Sequence, residues 1–460
     1  MGTRRGQDAT SGDRDGRGNA RILYRTTSAC PRCGASSPAV PASLEVRGDA
    51  VFLQRSCPRH GEDRVPVSDD APLFEARLAR YFRHGMQGRA PDLPGSLTLH
   101  LTDRCDLACP ICFTAAGGRP DAPDPDLDTL EAAVRSTRTA RVALFGGEPL
   151  VREDLDEVVR RVRALGREPV LYTNGVRLSR PGRAARLAAA GLREAHLQFD
   201  GFDRELGRRL RGADLVDGRA AAIEACRAAG ITVVLEVTCA PRTTPGEMRR
   251  ILDFAIADRA IGGVVFRGLG RAGRAAARKD RVFVEEVARR FEEATGGRAT
   301  RAGVEAFDAL VLAVQDRMGW PRATCLKNRV YPLLRTRDGY ATPEELLPLA
   351  ALAREVESDG LAFSRLPAMA RLGLPALADR RLLALAAGIV RMLAARHVGS
   401  RNTRYPSGGG VLLVQIAGMC EGDSQDAVTA RTCPSALFVG GRVVPYVSEG
   451  YPERTRGCIT

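Results

Sequence analysis

Three thiols stand close together in the run CDLACPIC, where Cys105, Cys109 and Cys112 are separated by three and then by two residues. With twelve cysteines in 460 residues, a triplet at that fixed spacing has a chance expectation below about 0.01 per chain. Three thiolates on one short turn leave a tetrahedral zinc site a ligand short, so zinc would need a remote fourth residue. The same three can hold three corners of a [4Fe–4S] cube and leave one iron open to an outside ligand. A second element, FGGEP at 145–149, follows it in the chain. Its paired glycines, Gly146 and Gly147, allow a ligand close to the backbone, and Glu148 sets a carboxylate where a cationic amino group can be held.

Nearer the N-terminus, CPRCG and CPRHG offer Cys30, Cys33, Cys57 and His60. Each pair alone is a weak signal. Two such knuckles in succession, each followed by glycine, suit tetrahedral zinc or a mononuclear, rubredoxin-like iron holding a small ribbon that lacks a core of its own. Cys226 sits in a helical pattern and Cys239 at a strand end, and both are expected in the core. His196 alternates with apolar neighbours and is expected to be packed and hydrogen-bonded, while His100 lies in a strand close to the cysteine turn.

These motifs need elements to position them. From 96 to 275 short apolar runs alternate with amphipathic ones. The expected strands are 97–102, 141–146, 169–175, 194–201, 232–239 and 262–269, and helical segments such as REDLDEVVRRVRALG lie between them. Six such alternations imply an α/β fold with a parallel sheet, open or curved into a partial barrel, whose chemistry gathers at the carboxyl ends of the strands. On that pattern Asn174 and Asp200 end the third and fourth strands, within reach of a cofactor or a substrate, or simply as strand-end caps. GLGRAG at 268–273 has the GxGxxG spacing but ends a sixth strand, so it is not read as a dinucleotide site. A loop lining the same cleft suits it better. The expected organisation is a tail at 1–20, a Cys3His ribbon at 21–66, a helical linker at 67–95, the barrel at 96–275 and a C-terminal α+β region at 276–460.

Composition narrows the classes. With 44% hydrophobic and 27% charged residues the chain is globular, and no apolar run approaches the about 20 residues that span a bilayer. MGTRRGQDATSGDRDGRGNA has no apolar stretch of the secretory kind, which points to a cytoplasmic location. The net charge of +14 comes almost wholly from arginine, since only Lys279 and Lys327 are lysines. These arginines are spread over helical faces without interleaved aromatics, which argues for a solvated surface and against a nucleic-acid groove.

The triplet with FGGEP after it resembles the radical S-adenosylmethionine (radical SAM) enzymes. The resemblance implies a partial (β/α)6 barrel, with Cys105, Cys109 and Cys112 as [4Fe–4S] ligands. It makes Gly146, Gly147 and Glu148 contacts to S-adenosylmethionine, with Asn174 and Asp200 as further candidates. The aromatic residue that the family often carries before its third cysteine is here Ile111, and Phe113 follows instead. The knuckles before the cysteine turn narrow the resemblance to the tetraether lipid synthase and pterin methyltransferase-like subgroup. That implies carbon–carbon bond formation or C-methylation at an unactivated carbon, and Cys325, Cys420, Cys433 and Cys458 as candidate ligands of an auxiliary [4Fe–4S] cluster. A small-molecule, lipid or peptide substrate and a reductant such as flavodoxin or ferredoxin are implied with it. A peptide maturase with an auxiliary cluster and a non-catalytic iron–sulfur or zinc regulator are the alternatives.

Overall fold

The computed structural model describes residues 20–33, 38–85, 96–118, 123–276, 278–317, 325–359, 405–406, 409–421, 424, 426 and 435–445. Four strands, β1 (Arg21–Ser28), β2 (Val40–Arg47), β3 (Ala50–Cys57) and β4 (Gly61–Ser68), pair antiparallel in chain order as an N-terminal sheet. One face of it buries Leu44, Val51, Leu53 and Val65 against Phe74 and Leu78 of helix α1 (Ala71–Gly85). So small a core explains why a metal would be needed to hold the opposite end of the ribbon.

The central sheet follows the expected rhythm. Six parallel strands, β5 (Ser96–His100), β6 (Arg141–Phe145), β7 (Glu168–Thr173), β8 (Glu194–Gln198), β9 (Thr232–Cys239) and β10 (Ile261–Gly268), neighbour one another in chain order. They are nearly uniform in burial, unlike the alternating strands of a sheet with one solvated face. Between them run α2 (Leu127–Arg135), α3 (Leu155–Ala164), α4 (Arg183–Ala190), α5 (Arg204–Arg211), α6 (Val216–Ala228) and α7 (Pro245–Ala257). In α3, Leu155, Val158, Val159 and Val162 form the i, i+3, i+4, i+7 stripe that meets the sheet. Helix starts are fixed locally: Asp126 caps α2, Asp203 caps α5 and Thr244 caps α7, each side chain accepting from backbone N–H groups of its first turn.

The strands are shorter than the apolar runs. β5, β7 and β8 stop two to three residues before the ends expected from alternation. Thr102, Asn174 and Asp200 therefore lie beyond the ladder, on the turns at the carboxyl rim. Strands from the stretch after 276 extend the sheet at both ends. At one, β13 (Val411–Ala417) pairs parallel with β10 and is followed outward by β11 (Asn328–Thr336) and β12 (Gly339–Ala341). At the other, β14 (Ser435–Val439) pairs parallel with β5, and β15 (Arg442–Pro445) forms the edge. Among the described residues no helix is long and apolar enough to cross a membrane.

The linker helix is tied to the barrel by charge. Arg77, almost fully buried, lies 2.7 Å from Glu285 of α8 (Val284–Ala294) and 2.7 Å from Glu305 of α9 (Arg301–Arg317). Truncating one member of such a cluster strands the others in a low-dielectric site. Arg77→Met is expected to destabilise the folded chain by about 3–5 kcal/mol, read as a lowered midpoint of thermal unfolding.

Candidate active site

A cavity at the carboxyl ends of the central strands is lined by Cys105, Cys109 and Cys112, by Gly146, Gly147 and Glu148, and by Asn174. The cysteine turn leaves β5 and returns on itself: Cys112 N donates to Cys109 O at 3.2 Å and Gly117 N to Asp103 O at 2.7 Å. Backbone N–H groups point at two of the sulfurs, Leu107 N at Cys105 Sγ and Ala116 N at Cys112 Sγ, both at 3.4 Å. Burial pushes the Cys105 thiol up to about 12, and it raises Cys109 as well, against the opposing pull of Arg211. Thiols so placed give up their protons to a metal that compensates the charge.

The paired glycines serve the chain first. Gly147 N donates to Thr102 O at 2.7 Å and Glu148 N to Arg104 O at 2.9 Å, while Leu101 N donates to Phe145 O at 2.8 Å. A Cβ at Gly147 would overlap the Arg104 carbonyl, and one at Gly146, whose φ is +144°, would press on Thr102. Glu148 is buried. Its carboxylate accepts from Leu150 N at 3.0 Å, Thr173 Oγ1 at 2.8 Å and Asn174 N at 2.7 Å. Burial nonetheless lifts it to about 7, with those three bonds opposing. Asn174 in turn donates through Nδ2 to Asp106 at 2.7 Å and accepts from Val176 N at 2.9 Å.

Asp200, buried on the turn after β8, is heavily engaged. Arg211 grips it with two 2.8 Å bonds, Gln198 donates at 2.7 Å, and Arg219 and Thr238 N lie at 3.3 Å. Its pKa is held below the usual carboxylate range: burial pushes it up, but the two guanidinium groups outweigh that. Arg211, beside Cys109 on the cavity wall, is a residue the sequence reading missed. Its signal was available, because it falls with Leu206, Gly207 and Leu210 on the buried face of α5, where a charge is out of place. Arg274 was missed too. Its Nε donates to Cys109 O at 2.8 Å and its Nη1 to Ala116 O at 2.7 Å, while its backbone N reaches Cys112 O at 2.9 Å. Gly273, the last residue of GLGRAG, abuts the cysteine turn at Cys112 and Phe113, and Gly270 packs on Met419.

Deeper in the cavity lies a polar layer. His196 is buried, with Nδ1 2.8 Å from Glu236 and Nε2 3.0 Å from Glu194. Carboxylates at both nitrogens make both of them donors. Burial lowers its pKa, but the two carboxylates carry it above its ordinary value. The ring stacks on Tyr172 at 4.3 Å, and Tyr405 meets it edge-on.

In the ribbon, Cys30, Cys33, Cys57 and His60 place their ligand atoms within 4.8 Å of one another, the geometry of a single ion. Among the described residues no other group of three or more His, Cys, Asp or Glu ligand atoms is so gathered. A lone zinc with thiolate bonds of about 2.3 Å would demand that compactness at the barrel too. The barrel thiols are spread around one cavity instead, which suits a polynuclear cluster. Cys325 and Cys420 lie near enough for their charges to interact, and burial with that interaction pushes Cys325 up to about 11. Cys433 and Cys458 fall outside the described residues.

Residues 99–255 match the Radical SAM superfamily. Over those residues the chain carries a radical SAM domain. Residues 22–69, ahead of the radical SAM barrel, match the HMPTM N-terminal zinc ribbon domain. The 7,8-dihydro-6-hydroxymethylpterin dimethyltransferase of Methanocaldococcus jannaschii is 27% identical over 305 residues, 60% of each chain. The GTP 3',8-cyclase of Mycobacterium ulcerans is 36% identical over 203 residues, 41% of this chain and 52% of that one. The chain thus spans about half to three fifths of these relatives' lengths. Streptococcus suis SuiB bound to precursor peptide SuiA aligns at a TM-score of 0.40 with 19% identity, over 48% of each chain. The superfamily implies a [4Fe–4S] cluster and S-adenosylmethionine, and the donor set of three thiols around a cavity fits both.

Two outcomes follow from this geometry. Gly147→Ala should cost about 1–3 kcal/mol of stability by overpacking and speed hydrogen exchange at the amides of 147 and 148. For the ribbon, metal analysis should find one tightly held ion per chain in the wild type, much reduced in His60→Ala and retained when Cys105, Cys109 and Cys112 are all replaced.

Proposed function

We propose that this radical SAM enzyme abstracts hydrogen from an unactivated substrate carbon for carbon–carbon bond formation or C-methylation. The observation that carries the reading is the convergence of Cys105, Cys109 and Cys112 with Gly146, Gly147 and Glu148 on one cavity at the carboxyl rim. With its cofactors bound, the site would supply one-electron reductive cleavage of S-adenosylmethionine, the source of the hydrogen-abstracting species. The chain's own residues do the positioning. Cys105, Cys109 and Cys112 would hold the cluster, three protein ligands for its four irons. Glu148, fixed by Leu150, Thr173 and Asn174, holds the rim of β6 and β7 in register and keeps acceptor capacity toward a cationic amino group. Arg211, itself oriented by Asp200, adds positive charge beside Cys109. Phe113, Phe145, Leu269 and Met419 supply apolar wall that excludes water from a reactive intermediate.

The pterin dimethyltransferase match and the shared ribbon support C-methylation over other outcomes. Reconstitution with iron and sulfide under argon, followed by S-adenosylmethionine and dithionite, is expected to yield 5'-deoxyadenosine. Replacing any one of Cys105, Cys109 and Cys112 by alanine should abolish it. A wild-type protein with a full complement of iron and sulfide that forms none would refute the reading.

A further inference from the structure

The polar layer beneath the cofactor rim has no part in the cysteine chemistry, yet its residues line the same cavity. Tyr172, His196, Glu236 and Arg267 come from the four consecutive strands β7 to β10, and Phe145 comes from β6. His196 fixes the Glu236 carboxylate by the 2.8 Å bond to Oε1. Arg267 Nη2 stands 3.6 Å from the other oxygen, longer than a hydrogen bond. Both side chains keep partial exposure, 17% for Glu236 and 31% for Arg267. The cavity therefore presents an anchored acceptor and a cationic donor side by side, and a carboxylate accepts up to about four hydrogen bonds. On the wall of the same cavity, Phe145 and Tyr172 meet at 5.7 Å and Phe113 and Phe145 at 5.6 Å, an aromatic surface for a flat ligand.

We infer that Glu236 and Arg267 are the substrate-reading pair of this site, taking a small planar heterocycle that carries a ring N–H next to a ring C=O, a cis-lactam edge. The inference rests on the proposed radical chemistry in this cavity and adds what the cavity holds. Glu236 accepts from the ring N–H, Arg267 donates to the adjacent carbonyl, and the ring lies against Phe145 and Tyr172. The edge must be cis, because acceptor and donor sit on the same side of the ligand. A peptide backbone amide is trans and sends its N–H and C=O in opposite directions. An alkyl chain would cover two charged groups with nothing to bond them. A phosphate would meet the Glu236 carboxylate as well as the guanidinium.

Binding to the reconstituted holoprotein, with S-adenosylmethionine present and no reductant, tests the assignment. The probes are uracil, guanosine and pterin, each against the derivative methylated on the lactam nitrogen, with a glutamine-bearing peptide and a short alkyl alcohol as the other arms. At least one ring compound should bind the wild type, and its N-methyl form should bind about tenfold or more weakly. Glu236→Gln and Arg267→Met should each weaken the parent ring by a similar factor while leaving less discrimination against the methylated one. The N-methyl comparison is made on the wild type, so it holds even if a variant folds poorly. Equal binding of methylated and parent rings, failure of all three rings, or preference for the peptide or the alcohol would overturn the pairing. 5'-Deoxyadenosine formation by the wild type is scored separately, so a protein that cleaves the cofactor but ignores the rings sinks this inference alone.

Discussion

The site depends on the backbone contact between the segment that leaves β5 and the segment that leaves β6. Leu101, Thr102 and Arg104 exchange hydrogen bonds with Phe145, Gly147 and Glu148, and only glycine at 146 and 147 lets the two strands of chain come that close. That contact fixes where the cysteine turn departs from the sheet. It also places the Glu148 carboxylate where it can hold Thr173 and Asn174 at the end of β7. One short ladder therefore joins three consecutive strand ends, and the thiols inherit their positions from it.

Charge organises the rest of the cavity. Asp200, deep at the end of β8, draws Arg211 from α5 and Arg219 from α6 into the interior, and Arg211 then stands against Cys109. Arg274 holds two of the turn's carbonyl oxygens, those of Cys109 and Ala116. Cys109, whose pKa burial raises, thus has a fixed positive charge beside it that eases loss of its proton when a metal arrives, whereas Cys105 faces the carboxylates of Asp106 and Glu148. The linker helix and the ribbon connect to the same frame through Arg77, whose two carboxylate partners lie on α8 and α9.

Much of this was legible in the sequence because period and spacing are local properties. The six parallel strands, the two knuckles and the thiol triplet all follow from residues within short windows, and the matches to the radical SAM superfamily and to the zinc ribbon accord with them. What could not be read was partnership. Gly146 and Gly147 suggest ligand approach when taken alone, whereas their immediate neighbours are carbonyls of the preceding loop. Asp200 reads as a ligand contact at a strand end, but its acceptors are filled by arginines 11 and 19 residues away. Arg274 carries no sequence signal at all, since its partners are backbone oxygens more than 150 residues distant. Where the strands of the C-terminal α+β region pair, beyond β10 and β5, was equally hidden, because edge pairing across the chain leaves no trace in local alternation.

In the proposed chemistry, three thiols hold a cluster with one corner left for the amino acid end of S-adenosylmethionine. Electron–nuclear double resonance on the reduced, reconstituted protein, with S-adenosylmethionine labelled with 15N at its amino group, tests it directly. A 15N hyperfine coupling to the cluster spin is expected, replaced by a 14N coupling when unlabelled cofactor is substituted. A reduced cluster that shows no such coupling at saturating cofactor would contradict it.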